Sequence, residues 1–127
     1  MKCYSHGTSK SHGVMTLFSP TFAWKIDAID VSIDNNGRIL IADIKMENLS
    51  CTITNVYCPN ETNFEFYLQL SEMLEQTELS NLLMAGDFNI TMDPTLDKKE
   101  GAKKDLHGPN RECMIQIQES YEMTDIW

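Results

Sequence analysis

Leu82-Leu83-Met84-Ala85-Gly86-Asp87-Phe88-Asn89 is the stretch on which the reading of this chain turns. Four apolar residues ending in Gly read as a short buried strand, too short for a helix. Asp87 and Asn89 are two apart, so where extended geometry persists they point the same way while Phe88 turns back into the core. In layered α/β proteins, ligands bind just past the carboxyl ends of the strands. A carboxylate and an amide displayed there can orient a water and hold a phosphoryl oxygen. The same spacing suits an Asx-type turn in which both side chains cap their own loop, and spacing alone leaves both readings open.

Upstream, Thr62-Asn63-Phe64-Glu65 fits a capping box with Thr62 as the N-cap. Phe66, Leu70, Met73 and Thr77, flanked by Tyr67 and Leu74, then share one helical face, while Glu72, Glu75 and Glu78 lie mostly outward. Before that helix, Ile26 to Ile33, Arg38 to Met46 and Cys51 to Tyr57 read as three strands. Asp34-Asn35-Asn36-Gly37 and Glu47 to Ser50 join them as turns, which predicts an antiparallel meander. His12 to Phe18 reads as a further strand, preceded by a frayed polar N-terminus. Downstream, Asp87 to Gly108 is polar and too long for an ordinary connection, and so a candidate functional loop. Pro109 suits the first position of a last helix with Met114, Ile117 and Tyr121 on one side.

With 127 residues, 42% apolar and 23% charged, the chain reads as one globular domain. Its net charge of −9 disfavours bulk electrostatic binding to nucleic acid or anionic membrane, so a phosphate-bearing partner needs a local site. Two basic segments survive on the acidic body, one around Lys2, Lys10 and Lys25 and one around Lys98, Lys99, Lys103 and Lys104. They read either as solvated loops or as phosphate-facing rims. Cys3, Cys51, Cys58 and Cys113 are too sparse for a disulfide scaffold and are expected to be reduced thiols in the core. Neither an apolar leader nor a membrane-length span is visible, which predicts a soluble, intracellular chain.

Three rival motifs fail. Asp87 to Asp93 resembles the start of an EF-hand loop, but Met92 stands where Gly is needed and Lys98 where Glu is needed. Cys3, His6 and His12 can be drawn as a metal cluster, against which the frayed N-terminus is preferred. Asn48-Leu49-Ser50, Asn60-Glu61-Thr62 and Asn89-Ile90-Thr91 match the glycosylation sequon, as an Asn-rich chain does by chance.

Asn55-Val56-Tyr57-Cys58-Pro59-Asn60, a helix, Leu82 through Asn89, and then Asp93-Pro94 and Asp97 together resemble the endonuclease/exonuclease/phosphatase superfamily. The likeness is nearest to the apurinic-type endonuclease domain of LINE retrotransposons. Ser11-His12-Gly13-Val14-Met15, Gly37-Arg38-Ile39-Leu40 and Tyr121-Glu122-Met123-Thr124-Asp125-Ile126-Trp127 add to it. The resemblance implies a four-layer α/β (α+β) sandwich of two packed β-sheets with outer helices. It implies Mg²⁺-dependent hydrolysis of DNA phosphodiesters at the sheet edges, and a nuclear location for that activity. Carried over, Asp87 would orient or deprotonate the attacking water, Asn89 would help hold the scissile phosphate, and Tyr57 would approach it through its hydroxyl. Asn60, Lys98 and Lys99 would contact substrate. Tyr57 also reads as a strand-end aromatic packed on the core.

The sequence departs from the family pattern at both ends. The strand carrying an Asn and then a metal-binding Glu has no counterpart, since nothing upstream of Asp27 is acidic, and the closing Ser-Asp-His is not reached. His6, His12 and His107 lie in other contexts than that His. No metal ligand is therefore assigned, and residues 1–127 are expected to form a single partial domain, inactive or impaired. Two alternatives stand beside this: a non-catalytic interaction domain or remnant, and a phosphodiesterase for a small-molecule or lipid substrate.

Overall fold

Alternation along one strand organises the fold. Ile39 and Ile41 face one apolar cluster while Leu40, Ala42 and Ile44 face another, and all five are buried. A strand buried on both faces must be central, covered by a layer on each side. The computed structural model describes residues 1–8, 11–92 and 107–126. Within them the elements run β1 (Lys2–Thr8), β2 (Ser11–Leu17), α1 (Pro20–Ala23), β3 (Ala28–Ile33), β4 (Ile39–Met46), β5 (Leu49–Tyr57), α2 (Phe64–Glu75), β6 (Leu83–Asp87) and α3 (Gly108–Ser120).

β1 and β2 form an antiparallel hairpin, and the second sheet has the order β3-β4-β5-β6. β3, β4 and β5 are the predicted antiparallel meander, and β6 joins parallel to β5 after the crossover through α2. The helices cover one face through Phe66, Tyr67, Leu70, Leu74, Met114 and Ile117. The hairpin covers the other through Val14, with Phe18, Cys3, Ile53 and Tyr57 in the same cluster. The architecture is a mixed α/β sandwich of two sheets with outer helices.

The β3–β4 turn is fastened by a buried carboxylate. Asp34 accepts the N–H groups of Asn36 at 3.1 Å, Arg38 at 2.8 Å and Ile39 at 2.9 Å. The Ser5 hydroxyl of β1 donates to the same carboxylate at 3.3 Å, tying the hairpin to the turn. Gly37 lies at φ +70°, and a Cβ there would fall 2.3 Å from the Gly7 nitrogen, so no other residue fits.

Several expectations need correction. The N-terminus is a strand of seven residues rather than frayed, because its polar residues alternate with Cys3 and Ser5, which turn inward against the sheet and the Asp34 turn. The N-cap of α2 is Asn63, whose side chain accepts the Phe66 N–H at 3.0 Å, not Thr62. Pro109 is the second residue of α3, after Gly108. β6 is largely exposed rather than buried, with Leu83 at 53%: it is the last strand of its sheet, and only its Met84 side packs on the helix-face cluster. All four cysteines are free; Cys58 is buried and the others are half-buried.

Candidate functional site

Parallel pairing brings the carboxyl ends of β5 and β6 to the same place. Tyr57 and Asp87 are register partners there, so their side chains leave the same face of the sheet. Gly86 makes this approach possible. At φ +141° it sits against Val56, and a Cβ would fall 1.9 Å from the Val56 carbonyl oxygen.

Past the strand, the Asx turn forms: the Asn89 N–H donates to Asp87 Oδ1 at 3.1 Å. Asn89 takes φ +48°, which Asn tolerates better than most residues, and its Nδ2 donates to the Cys58 carbonyl at 2.8 Å. The local-turn reading of this pair thus holds as geometry. It does not use up the carboxylate, which has about four acceptor positions, and Asp87 is exposed. Asn60, Asp87, Asn89, Thr91 and His107 border an open depression of about 670 Å³. Tyr57 is not among the residues that border it; it is half-buried, its ring packed on the hairpin-side cluster, so the core-packing reading holds as geometry. Lys98 and Lys99 lie outside the described residues, as do Asp93 and Asp97.

The Asn60 loop is held from α3. The side chain of Asn110, fully buried, accepts the Asn63 N–H at 3.2 Å and donates to the carbonyls of Glu61 at 2.9 Å and Pro59 at 3.4 Å. From the next position, Arg111 Nη1 donates to the Thr91 carbonyl at 2.7 Å. Beneath the strand ends, burial pushes the Cys58 thiol up to about 12; Tyr67 and Arg38 pull it down by less, and Asp87 adds to the rise. A thiol so protonated is a packing group, not a nucleophile.

Among solved structures, the chain is similar to the endonuclease domain of TRAS1, a telomere-specific non-LTR retrotransposon, with TM-score 0.55, 15% identity and 93% of this chain covered. Its fold resembles that of a retrotransposon endonuclease domain. The chain spans about half, 52%, of that structure's length. No protein-family model matches the sequence, and no curated protein matches it.

Within this endonuclease-like fold, the structure brings Asp87 and Asn89 to one depression, with Asn60 on its rim. Sequence reasoning did not assign His107 to its border, nor Arg38, Asn110 and Arg111 to the hydrogen bonds that hold Tyr57, the Asn60 loop and Thr91. Only Arg38 carried a usable signal, since it follows the hairpin Gly and immediately precedes the central strand. Among the described residues, no three His, Cys, Asp or Glu side chains converge as a metal-binding group, and no helix is long and apolar enough to cross a membrane.

Proposed function

We propose that this chain carries one side of a phosphodiester-hydrolysing site of the LINE-endonuclease kind, with DNA as its substrate class. The pairing of Tyr57 with Asp87 at the ends of two parallel strands, beside Asn89 and Asn60, carries the reading. In-line displacement at phosphorus needs a positioned nucleophile and neutralised oxygens. Asp87 accepts a proton from, and so aims, the attacking water; the Asn89 amide and the Tyr57 hydroxyl face the phosphoryl oxygens. Asn60, Lys98 and Lys99 serve the flanking backbone. With a net charge of −9, DNA is engaged through such local contacts rather than a basic face. A nuclear location belongs to the same reading.

Mg²⁺ would neutralise charge on the phosphate and on the leaving oxygen. Mg²⁺ keeps several waters and takes one or two carboxylates, and among the described residues that border the depression only Asp87 is acidic. The described residues therefore do not by themselves fit a metal centre, and the steps above are assigned to side chains alone. Turnover by the chain on its own is accordingly impaired in this reading, since charge neutralisation is worth several kcal/mol.

The test is nicking of supercoiled plasmid by excess protein, with Mg²⁺ or with EDTA. Slow nicking that disappears in Asp87→Ala is the expected result, and the comparison of Mg²⁺ with EDTA reads how much of it a metal supplies. Nicking that survives Asp87→Ala sinks the assignment of that residue. A chain that melts cooperatively but never nicks supports a non-catalytic binding domain, a reading favoured by Tyr4, Met15 and Leu17, exposed by 46%, 54% and 66% on the hairpin. Hydrolysis of a small-molecule or lipid phosphodiester without nicking would move the substrate class instead.

A further inference from the structure

Tyr57 stands at the end of a strand and is half-buried, so its ring is not enclosed on every side. A hydroxyl meant to meet a phosphoryl oxygen must be held, since a displacement of about 1 Å costs on the order of a hundredfold in rate. The structure shows what holds it. The Arg38 carbonyl accepts the Tyr57 N–H at 2.8 Å, Arg38 Nη1 donates to the Tyr57 carbonyl at 3.1 Å, and the guanidinium carbon lies 5.1 Å from the centre of the Tyr57 ring. One arginine thus grips the backbone of this residue on both sides and its ring on one face.

The grip extends to the opposite strand. The peptide unit joining Tyr57 to Cys58 gives its carbonyl to Arg38, and its N–H donates to the Asp87 carbonyl at 2.8 Å. The next carbonyl, of Cys58, accepts Asn89 Nδ2. Arg38, Tyr57, Asp87 and Asn89 are therefore linked through two consecutive peptide groups. Arg38 is itself fixed, because its N–H donates to the buried Asp34 carboxylate at 2.8 Å.

We infer that Arg38 is a positioning residue, holding Tyr57 in register with Asp87 and acting on the reaction through Tyr57. Its consequence for turnover rests on the phosphodiester reading; the hold on Tyr57 does not. Lysine keeps a charge near the ring but lacks the planar fork that reaches ring and carbonyl together.

Two measurements on the full chain test this separately. In a chain carrying ¹³C-labelled tyrosine, the Tyr57 ring resonance, assigned with Tyr57→Phe, shifts in Arg38→Met and returns part-way in Arg38→Lys, while the other tyrosines stay put. A Tyr57 resonance unmoved by Arg38→Met overturns the inference. In single-turnover plasmid nicking, Arg38→Met lowers the rate on the order of tenfold or more, Arg38→Lys restores part of it, and Arg38→Met adds nothing in a Tyr57→Phe background. Additive losses overturn the route through Tyr57, whatever the melting temperatures. If the wild-type chain does not nick at all, the endonuclease reading and the catalytic consequence fall together, and the ring resonance alone decides whether Arg38 holds Tyr57.

Discussion

Gly86→Ala isolates the contact on which the site is built. At φ +141° an L side chain is strained, and its Cβ would lie 1.9 Å from the oxygen, 2.8 Å from the nitrogen and 2.9 Å from the carbonyl carbon of Val56. All three are backbone atoms of β5, so no side chain can swing aside; the strands must part by more than an ångström. Parting loosens the last rungs of the β5–β6 ladder and the bond from Cys58 N–H to the Asp87 carbonyl. Backbone strain of about 1–3 kcal/mol and one or two weakened hydrogen bonds at about 1 kcal/mol each give a loss of roughly 2–4 kcal/mol. For a chain of this size that lowers Tm by on the order of 10 °C. Thermal melts followed by circular dichroism measure the loss, and amide exchange locates it, with the Cys58 amide expected to lose protection before the β3–β4 rungs. An alanine variant that melts within about 2 °C of wild type, with the Cys58 amide still protected, would refute the reasoning, because the strands would then not be in contact at Gly86.

Two further outcomes follow from buried groups. Asn110→Ala removes one acceptor and two donors from a closed space and leaves the Asn63 N–H and two carbonyls without that partner; a loss of roughly 2–4 kcal/mol in urea unfolding, with faster exchange at Asn63, is expected, and unchanged exchange there would mean the loop is held by something else. The protein should also weaken in alkali. Burial raises the Cys58 thiol from its ordinary 9 to about 12, and burial raises the neighbouring Tyr67 hydroxyl as well. The unfolded chain releases these protons first, so the contribution is complete below about pH 9 and disappears towards pH 12, at no more than about 1.4 kcal/mol per pH unit for one thiol. Melts at pH 8, 10 and 11 should show Tm falling, with a shallower fall in Cys58→Ala; identical slopes would show that this thiol is not what titrates.

The parts legible in the sequence were those governed by neighbours along the chain. Period-two burial in Ile39–Met46, the Asp34–Gly37 turn and the apolar face of α2 each arise from residues a few positions apart, where backbone geometry dictates direction. The N-cap shifted from Thr62 to Asn63 because both side chains can cap, and only the exact start of the helix, with Asn110 taking the Asn63 N–H, selects between them. The hairpin strand β1 was missed because its inward positions are Cys3 and Ser5, small or polar residues whose burial depends on the sheet they meet.

By itself the sequence determined that a carboxylate and an amide stand at a strand end, two residues apart, after a glycine. It also determined that the chain is acidic, with a net charge of −9, which disfavours bulk electrostatic binding to nucleic acid. Tertiary structure decided the rest: that Tyr57 is the partner of Asp87, that Arg38 grips it across the sheet, and that Asn110 fastens the rim from a helix about fifty residues later. These relations depend on strand order and register. Pairing brings together residues about thirty apart along the chain, and no local spacing encodes which residue will lie opposite which.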